Sequence, residues 1–140
     1  MAVHVLSVLA YKQGDRVTSH FLAGSINTNP VTVRRLLLAL QEADLVETRK
    51  GAGFGSRLSR SPGRINLAEV YHAVETDESF TMPRQKPNDA CPVGHCIQKA
   101  LERVFASAEQ ALERELATTT LADILDGVHA ACAKGRRETK

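Results

Sequence analysis

Three cysteines and two adjacent arginines are the residues of this chain whose types and spacing invite chemistry. Cys91 and Cys96 are separated by four residues in the run Cys91-Pro92-Val93-Gly94-His95-Cys96, and the third thiol, Cys132, lies 36 positions further on. An odd count this small is no disulfide scaffold, so these are free thiols, metal ligands or switches. Two Cys with a lone His do not complete the tetrahedral spacing of a zinc site, and no metal is expected there; His95 and His72 are the histidines able to supplement the thiols. Two readings stay open. Either the thiols are buried as small hydrophobes at the lead-in to a helix, or Cys91 or Cys96 is a thiolate favoured by the helix dipole and by His95, with Cys132 as its resolving partner.

The arginines point to a different partner. Residues 1–64 carry nine Lys and Arg against four Asp and Glu, while residues 65–140 carry nine against twelve, so the net charge of +2 hides a basic first half and an acidic second. A basic half faces an anionic partner, and nucleic acid leads the candidates. Arg34 and Arg35 follow Asn29-Pro30-Val31-Thr32-Val33, and residues 49–64 hold Arg49, Lys50, Arg57, Arg60 and Arg64 with no acidic residue among them. Arg pairs with guanine through two hydrogen bonds and with phosphate through charge, so both groups suit a duplex. Catalysis finds no comparable set. His4, His20 and His129 are isolated, and the glycine run at 51–55 lacks the Lys-Ser/Thr ending of a nucleotide-binding loop.

The elements that must position these groups follow from periodicity. At 140 residues, 43% apolar and 24% charged, the chain is one helix-rich domain or a domain with an arm. Ala2, Val3, Val5, Leu6, Val8, Leu9 and Ala10 predict a buried first helix closed by Gly14. Thr18 caps a short helix over 18–25, Ile26-Asn27-Thr28-Asn29 turns the chain, and Asn29 caps a second helix opened by Pro30. Its Val33, Leu36, Leu37 and Leu40 recur at i, i+3, i+4, i+7 and face the core, leaving Val31, Thr32, Arg34, Arg35 and Gln41 outside. This pair predicts a helix-turn-helix. Leu45-Val46-Glu47-Thr48-Arg49 and Ser56-Arg57-Leu58-Ser59-Arg60 then read as antiparallel strands about a glycine-rich tip, forming a wing.

A helix over 65–75, capped by Asn66, carries Leu67, Val70, Tyr71 and Val74 toward that winged domain. The long helix beyond it presents Ile97, Leu101, Val104, Phe105, Ala108 and Leu112 on one broad face, more apolar surface than a small domain covers, and these residues are assigned to dimerisation. Thr120-Leu121-Ala122-Asp123 has the form of a capping box for a last helix with Leu121, Ile124, Leu125 and Val128 inward. The organisation expected is a winged helix-turn-helix domain at 1–75, a cysteine-containing loop at 76–94, dimerisation helices at 95–133 and a flexible polar tail at 134–140. No run is long and apolar enough for a membrane span, and residues 1–11 lack a basic leader, so the expected location is the cytoplasm with no membrane partner.

The combined pattern resembles the bacterial Rrf2 (Rrf-two) family of transcription regulators, which includes the IscR, NsrR and CymR types. The likeness is carried by Asn29-Pro-Val-Thr-Val-Arg-Arg-Leu-Leu, Glu42-Ala-Asp-Leu-Val, Arg49-Lys-Gly-Ala-Gly-Phe-Gly and Ile65-Asn-Leu-Ala-Glu-Val-Tyr-His-Ala-Val, and it continues over nearly the whole chain. It implies a mainly α fold with a small β-hairpin wing, no enzyme activity, and a homodimer whose winged domains each read half of a palindromic operator in double-stranded DNA. By position it implies that Val31, Thr32, Arg34 and Arg35 face the major groove and that Thr28 and Asn29 lie near phosphate at the positive end of the helix dipole. Lys50 resembles the wing residue that enters the minor groove, with Arg49 and Arg57 beside it on the backbone. Adjacent helical residues point about 100° apart, so one of Arg34 and Arg35 is expected to read a base and the other a phosphate.

Cluster-binding members resemble one another in a cysteine pattern near C-x5-C-x7-C, from which Cys91, Cys96 and Cys132 depart, and no cofactor is expected. The function so implied is a homodimeric repressor acting by occlusion and controlled by thiol oxidation, an interchain disulfide through Cys132 rotating the winged domains. Two alternatives stand beside it. One is a [2Fe-2S] sensor of redox state or nitric oxide on the same fold, and the other a helical interaction module that binds no DNA.

Overall fold

Apolar residues spaced around most of the circumference of α1 (Ala2–Tyr11) place this helix at the centre of the molecule: Ala2, Val5, Leu6 and Leu9 are buried, and Val3, Val8 and Ala10 pack half-buried against the same core. The computed structural model describes residues 1–12, 14–51, 53–75, 85–88 and 90–138, with backbone alone from 135 onward. Thr18 Oγ1 accepts from Phe21 N at 3.1 Å and starts α2 (Ser19–Ile26), which stops on Asn27 at φ 57°, a left-handed conformation that Asn tolerates. Asn29 Oδ1 accepts from Val31 N at 2.8 Å, and with Pro30 in the first turn it opens α3 (Pro30–Glu42). Val33, Leu37 and Leu40 are buried there and Leu36 half-buried, so the apolar stripe of α3 faces the core.

Strands β1 (Val46–Arg49) and β2 (Gly55–Leu58) pair antiparallel, with Val46 opposite Leu58, Glu47 opposite Arg57, Thr48 opposite Ser56 and Arg49 opposite Gly55. The hairpin does not stand free. Val17 N donates to Ser56 O and Ser56 N to Val17 O, each at 2.8 Å, which ties β2 to the segment just before α2. Gly55 makes this approach possible: at φ +130° it sits where a Cβ would lie 3.1 Å from backbone atoms of Arg16 and Val17.

After a 3-10 turn at Pro62–Arg64, α4 (Leu67–Val74) begins with a reciprocal cap: Asn66 Oδ1 accepts from Glu69 N at 3.0 Å and Glu69 Oε2 from Asn66 N at 3.1 Å. Helix α5 (Pro92–Thr118) runs for 27 residues without burying one of them. Helix α6 (Leu121–Glu138) opens on the Thr120–Asp123 box, with Asp123 N donating to Thr120 Oγ1 at 3.2 Å and Thr120 N to Asp123 Oδ2 at 2.8 Å. It lies along α1, and its first residue, Leu121, is fully buried in the core formed by α1, α2, α3, β1 and α4.

Two boundaries differ from the expectation. The long helix starts at Pro92, three residues before 95, because Pro92 suits a first helical turn; Cys91 becomes its N-cap residue and Cys96 falls inside it. Helix α6 continues to Glu138, past the tail expected from 134, since Lys, Arg and Glu are good helix formers there. Residues 76–84 and 89 of the expected loop, Ala52 of the wing tip and the terminal 139–140 lie outside the described residues.

Candidate nucleic-acid interface

The outer face of α3 begins at its positively polarised end. Asn29, Val31, Thr32, Arg34 and Arg35 are exposed and Thr28 is half-buried. The two arginines differ. Arg34 Nε donates to Ser19 Oγ at 3.4 Å, which turns its guanidinium toward the start of α2, whereas Arg35 makes no hydrogen bond or ion pair among the described residues. Val31 and Arg35, four residues apart, share one face of the helix.

On the wing, charge is partly consumed by the fold. Glu47 Oε2 lies 2.9 Å from Arg57 Nη2 and accepts from Arg57 Nε at 3.0 Å, and Arg16 Nη2 approaches the same oxygen at 3.6 Å. Arg16 also donates to Gly55 O at 3.2 Å. Arg60 pairs with Glu69 Oε1 at 2.7 Å and donates to Arg64 O at 3.1 Å. The Glu69 carboxyl is held below the usual carboxylate range chiefly by the Asn66 backbone N–H, then by Arg60, with burial opposing both. Arg57, expected to be free for the duplex, is thus half-buried in an ion pair, because its cross-strand neighbour is a carboxylate. Arg49 and Lys50 remain exposed and unpaired among the described residues. Arg16 and Ser19, which meet Glu47 and Gly55 and Arg34 respectively, are contacts the sequence does not flag. Their partners lie in other elements, and no local spacing marks them.

All three cysteines are free and exposed. The expectation of thiols buried as small hydrophobes is therefore corrected: α5 has no buried residue, and its start offers Cys91 and Cys96 nothing to pack under. The Cys91 thiol is held below its ordinary range by the backbone N–H groups of Gly94 and then Val93. The sulfur sits in the field of these amides without a fully formed cap hydrogen bond.

Helix α5 leans on α4 along one edge. Tyr71 donates to Glu109 Oε1 at 3.4 Å and His72 Nε2 lies 3.3 Å from Glu113 Oε1. Of the residues assigned to dimerisation, Leu101, Phe105, Ala108 and Leu112 are half-buried, while Ile97 and Val104 are exposed, Val104 by 60%. An open shallow groove runs along this outer edge, lined by Arg103, Val104, Ser107, Ala108 and Ala111.

The family model for Rrf2, described as an iron-dependent transcriptional regulator, matches residues 1–127. The chain belongs to the Rrf2 family. A relative from Bacillus subtilis (strain 168), named as the HTH-type transcriptional regulator YwnA, is 40% identical over 126 residues, covering 90% of this chain and 92% of that protein. A crystal structure of a protein described as DNA-binding is 39% identical, covers 89% of this chain and 95% of its own, and superposes with a TM-score of 0.71. IscR of T. potens shares the fold at 23% identity and a TM-score of 0.68, over 93% of this chain and 84% of that one. As an Rrf2 protein, the chain is a DNA-binding transcription regulator and not an enzyme, built as a mostly helical winged helix with a two-stranded hairpin. Among the described residues no helix is long and apolar enough to cross a membrane.

Iron in the Rrf2 description raises the question of a cluster. Cys91 caps α5, Cys96 lies in its second turn and Cys132 belongs to α6. Among the described residues no three His, Cys, Asp or Glu side chains converge to hold a metal ion, so the described residues of one chain assemble no donor set for an iron-sulfur cluster.

Proposed function

We propose that this Rrf2 protein binds a palindromic operator in double-stranded DNA as a homodimer and represses transcription in the cytoplasm by occluding the site. The observation that carries this reading is the partition of basic charge. Arg16, Arg57 and Arg60 are engaged by carboxylates within the fold, while Arg35, Arg49 and Lys50 stand exposed and unpaired on the outer face of α3 and at the wing. With α3 in the major groove, Arg35 reads a guanine edge and Arg34, drawn toward α2, meets the phosphates that α2 crosses. Thr28, Asn29 and Thr32 serve the backbone and groove at the helix N-terminus, Lys50 enters the minor groove, and Arg49 holds the adjoining phosphate. Arg57 joins only by exchanging Glu47 for phosphate.

A second copy accounts for α5. A 27-residue helix with no buried residue, whose Ile97 and Val104 are exposed and whose Leu101, Phe105, Ala108 and Leu112 are only half-buried, gains cover by packing on its two-fold mate. Selection from random duplexes, read with sedimentation and a salt titration, tests the whole reading. The expected result is an inverted repeat, a dimer and a steep salt slope. A monomer whose duplex affinity ignores salt overturns it, and leaves the helical interaction module.

Thiol oxidation as the controlling signal is favoured by three exposed thiols and the lowered thiol of Cys91. In the step proposed, a peroxide takes two electrons from Cys91 or Cys96 and from Cys132 of the second copy. The S–S bond forms, the O–O bond breaks, and the two thiol protons leave as water. If replacing each cysteine by Ser leaves DNA binding equally responsive to peroxide, the switch is disproved.

A further inference from the structure

At the N-terminal end of the outer face of α3 a valine stands exposed among Thr32, Arg34 and Arg35. Val31 is the second residue of α3 and 54% exposed. Its backbone N–H is satisfied by Asn29, so capping makes no demand on its side chain. Packing makes none either, because Val33 fills the core for that turn and is fully buried. A β-branched residue is also a mediocre helix former, so local propensity does not call for it.

What Val31 does have is position. It shares a face with Arg35, about 6 Å further along the helix axis at 1.5 Å per residue, at the end of α3 that enters the groove. Its two methyl groups are held stiffly, since branching at Cβ restricts χ1. The major groove offers apolar surface at one base feature, the C5-methyl of thymine; the other edges present donors and acceptors. Thr32, whose methyl is the nearest rival, points about 100° away around the helix.

We infer that Val31 reads the methyl group of one thymine in each operator half-site, beside the base pair that Arg35 reads. This rests on the proposed insertion of α3 into the major groove and adds a base identity to it. Dry contact with one methyl, and no hydrogen bond, carries the discrimination at that position.

Replacing thymine by deoxyuridine removes only that methyl and leaves base pairing intact. The experiment takes the duplex selected by the intact protein and substitutes its thymines one at a time, then at both symmetric positions together. One position per half-site is expected to weaken binding about four-fold, and both together about fifteen-fold, as burial of one or two methyl groups requires. Val31→Ala is expected to bind the thymine duplex several-fold more weakly and to ignore uracil at that position while keeping the wild-type salt slope. Its exposure makes loss of the fold irrelevant to the first arm, which uses only the wild-type chain. Duplex binding with no uracil-sensitive position, or an equal uracil penalty in Val31→Ala, overturns the inference and leaves the operator reading standing. Absence of any duplex binding overturns both.

Discussion

Glu47 and Arg57 face each other directly across the wing, with two nitrogens of the guanidinium at 2.9 and 3.0 Å from one carboxylate oxygen. Glu47 is the only acidic residue between positions 45 and 68. On the proposed reading a carboxylate at this point competes with DNA phosphate for Arg57, and the same oxygen lies 3.6 Å from Arg16 Nη2.

Glu47→Gln should therefore tighten duplex binding by a few-fold and steepen the salt dependence by about one phosphate contact. The two side chains keep 42% and 46% of their surface in water, so screening should hold the loss in stability below about 1 kcal/mol. Fluorescence anisotropy at several salt concentrations reads both; an unchanged slope would mean that Arg57 never reaches the backbone.

Arg34→Ala and Arg35→Ala should fail in different ways. Loss of Arg35 should cost about 1–3 kcal/mol on the selected operator and relax preference at one base pair. Loss of Arg34 should weaken all duplexes alike and flatten the salt slope by about one. Titration against the operator and its single-mismatch variants separates the two, and identical profiles would remove the distinction drawn from the Ser19 contact.

Glu69 links the cap of α4 to Arg60. Its folded-state pKa is depressed, so its contribution to stability is fully present above the ordinary glutamate value of 4.5 and is lost as pH falls through the lower, folded value. Glu69→Ala should cost about 1–2 kcal/mol at neutral pH, mostly through the cap, because the side chain is one-third exposed and the ion pair is screened. Urea denaturation from pH 7 down to about 3 should show the difference between Glu69→Gln and wild type shrinking on the acid side.

Cys91 should react with iodoacetamide at lower pH than an ordinary thiol, since the Gly94 and Val93 amides favour its thiolate. Mass spectrometry of partly alkylated protein gives the order of labelling. Label arriving at Cys91 only in the usual thiol range would refute the effect of the helix terminus.

If the proposed dimer forms through α5, Val104→Glu should give a folded monomer where the wild-type chain dimerises, because the side chain is 60% exposed within one chain. Operator affinity should drop by 100-fold or so, as the half-sites are no longer linked. Light scattering and circular dichroism on the same sample decide the matter.

What the sequence makes legible is short in range. Thr18, Asn29 and Asn66 announce their helices because a cap and the amide it receives lie within three residues, and Asp123 marks α6 for the same reason. The wing hairpin follows from two β-type runs about a glycine tip, while its register, with Arg49 opposite Gly55, does not. Arg60 and Arg57 mislead, since their acidic partners sit nine and ten residues away and only folding shows them to be taken. Between buried thiols and a reactive thiolate at Cys91 or Cys96 the sequence leaves the choice open, because only the missing cover over α5 overrides the burial habit of cysteine. The early start of α5 had a signal in Pro92 that the neighbouring prolines obscure.

The two hydrogen bonds between Val17 and Ser56, closed over Gly55, fasten the hairpin to the strand-like lead into α2. The hairpin is in consequence held to the segment that leads into α2, and on the proposed reading a duplex meets α3 and the wing as one joined surface.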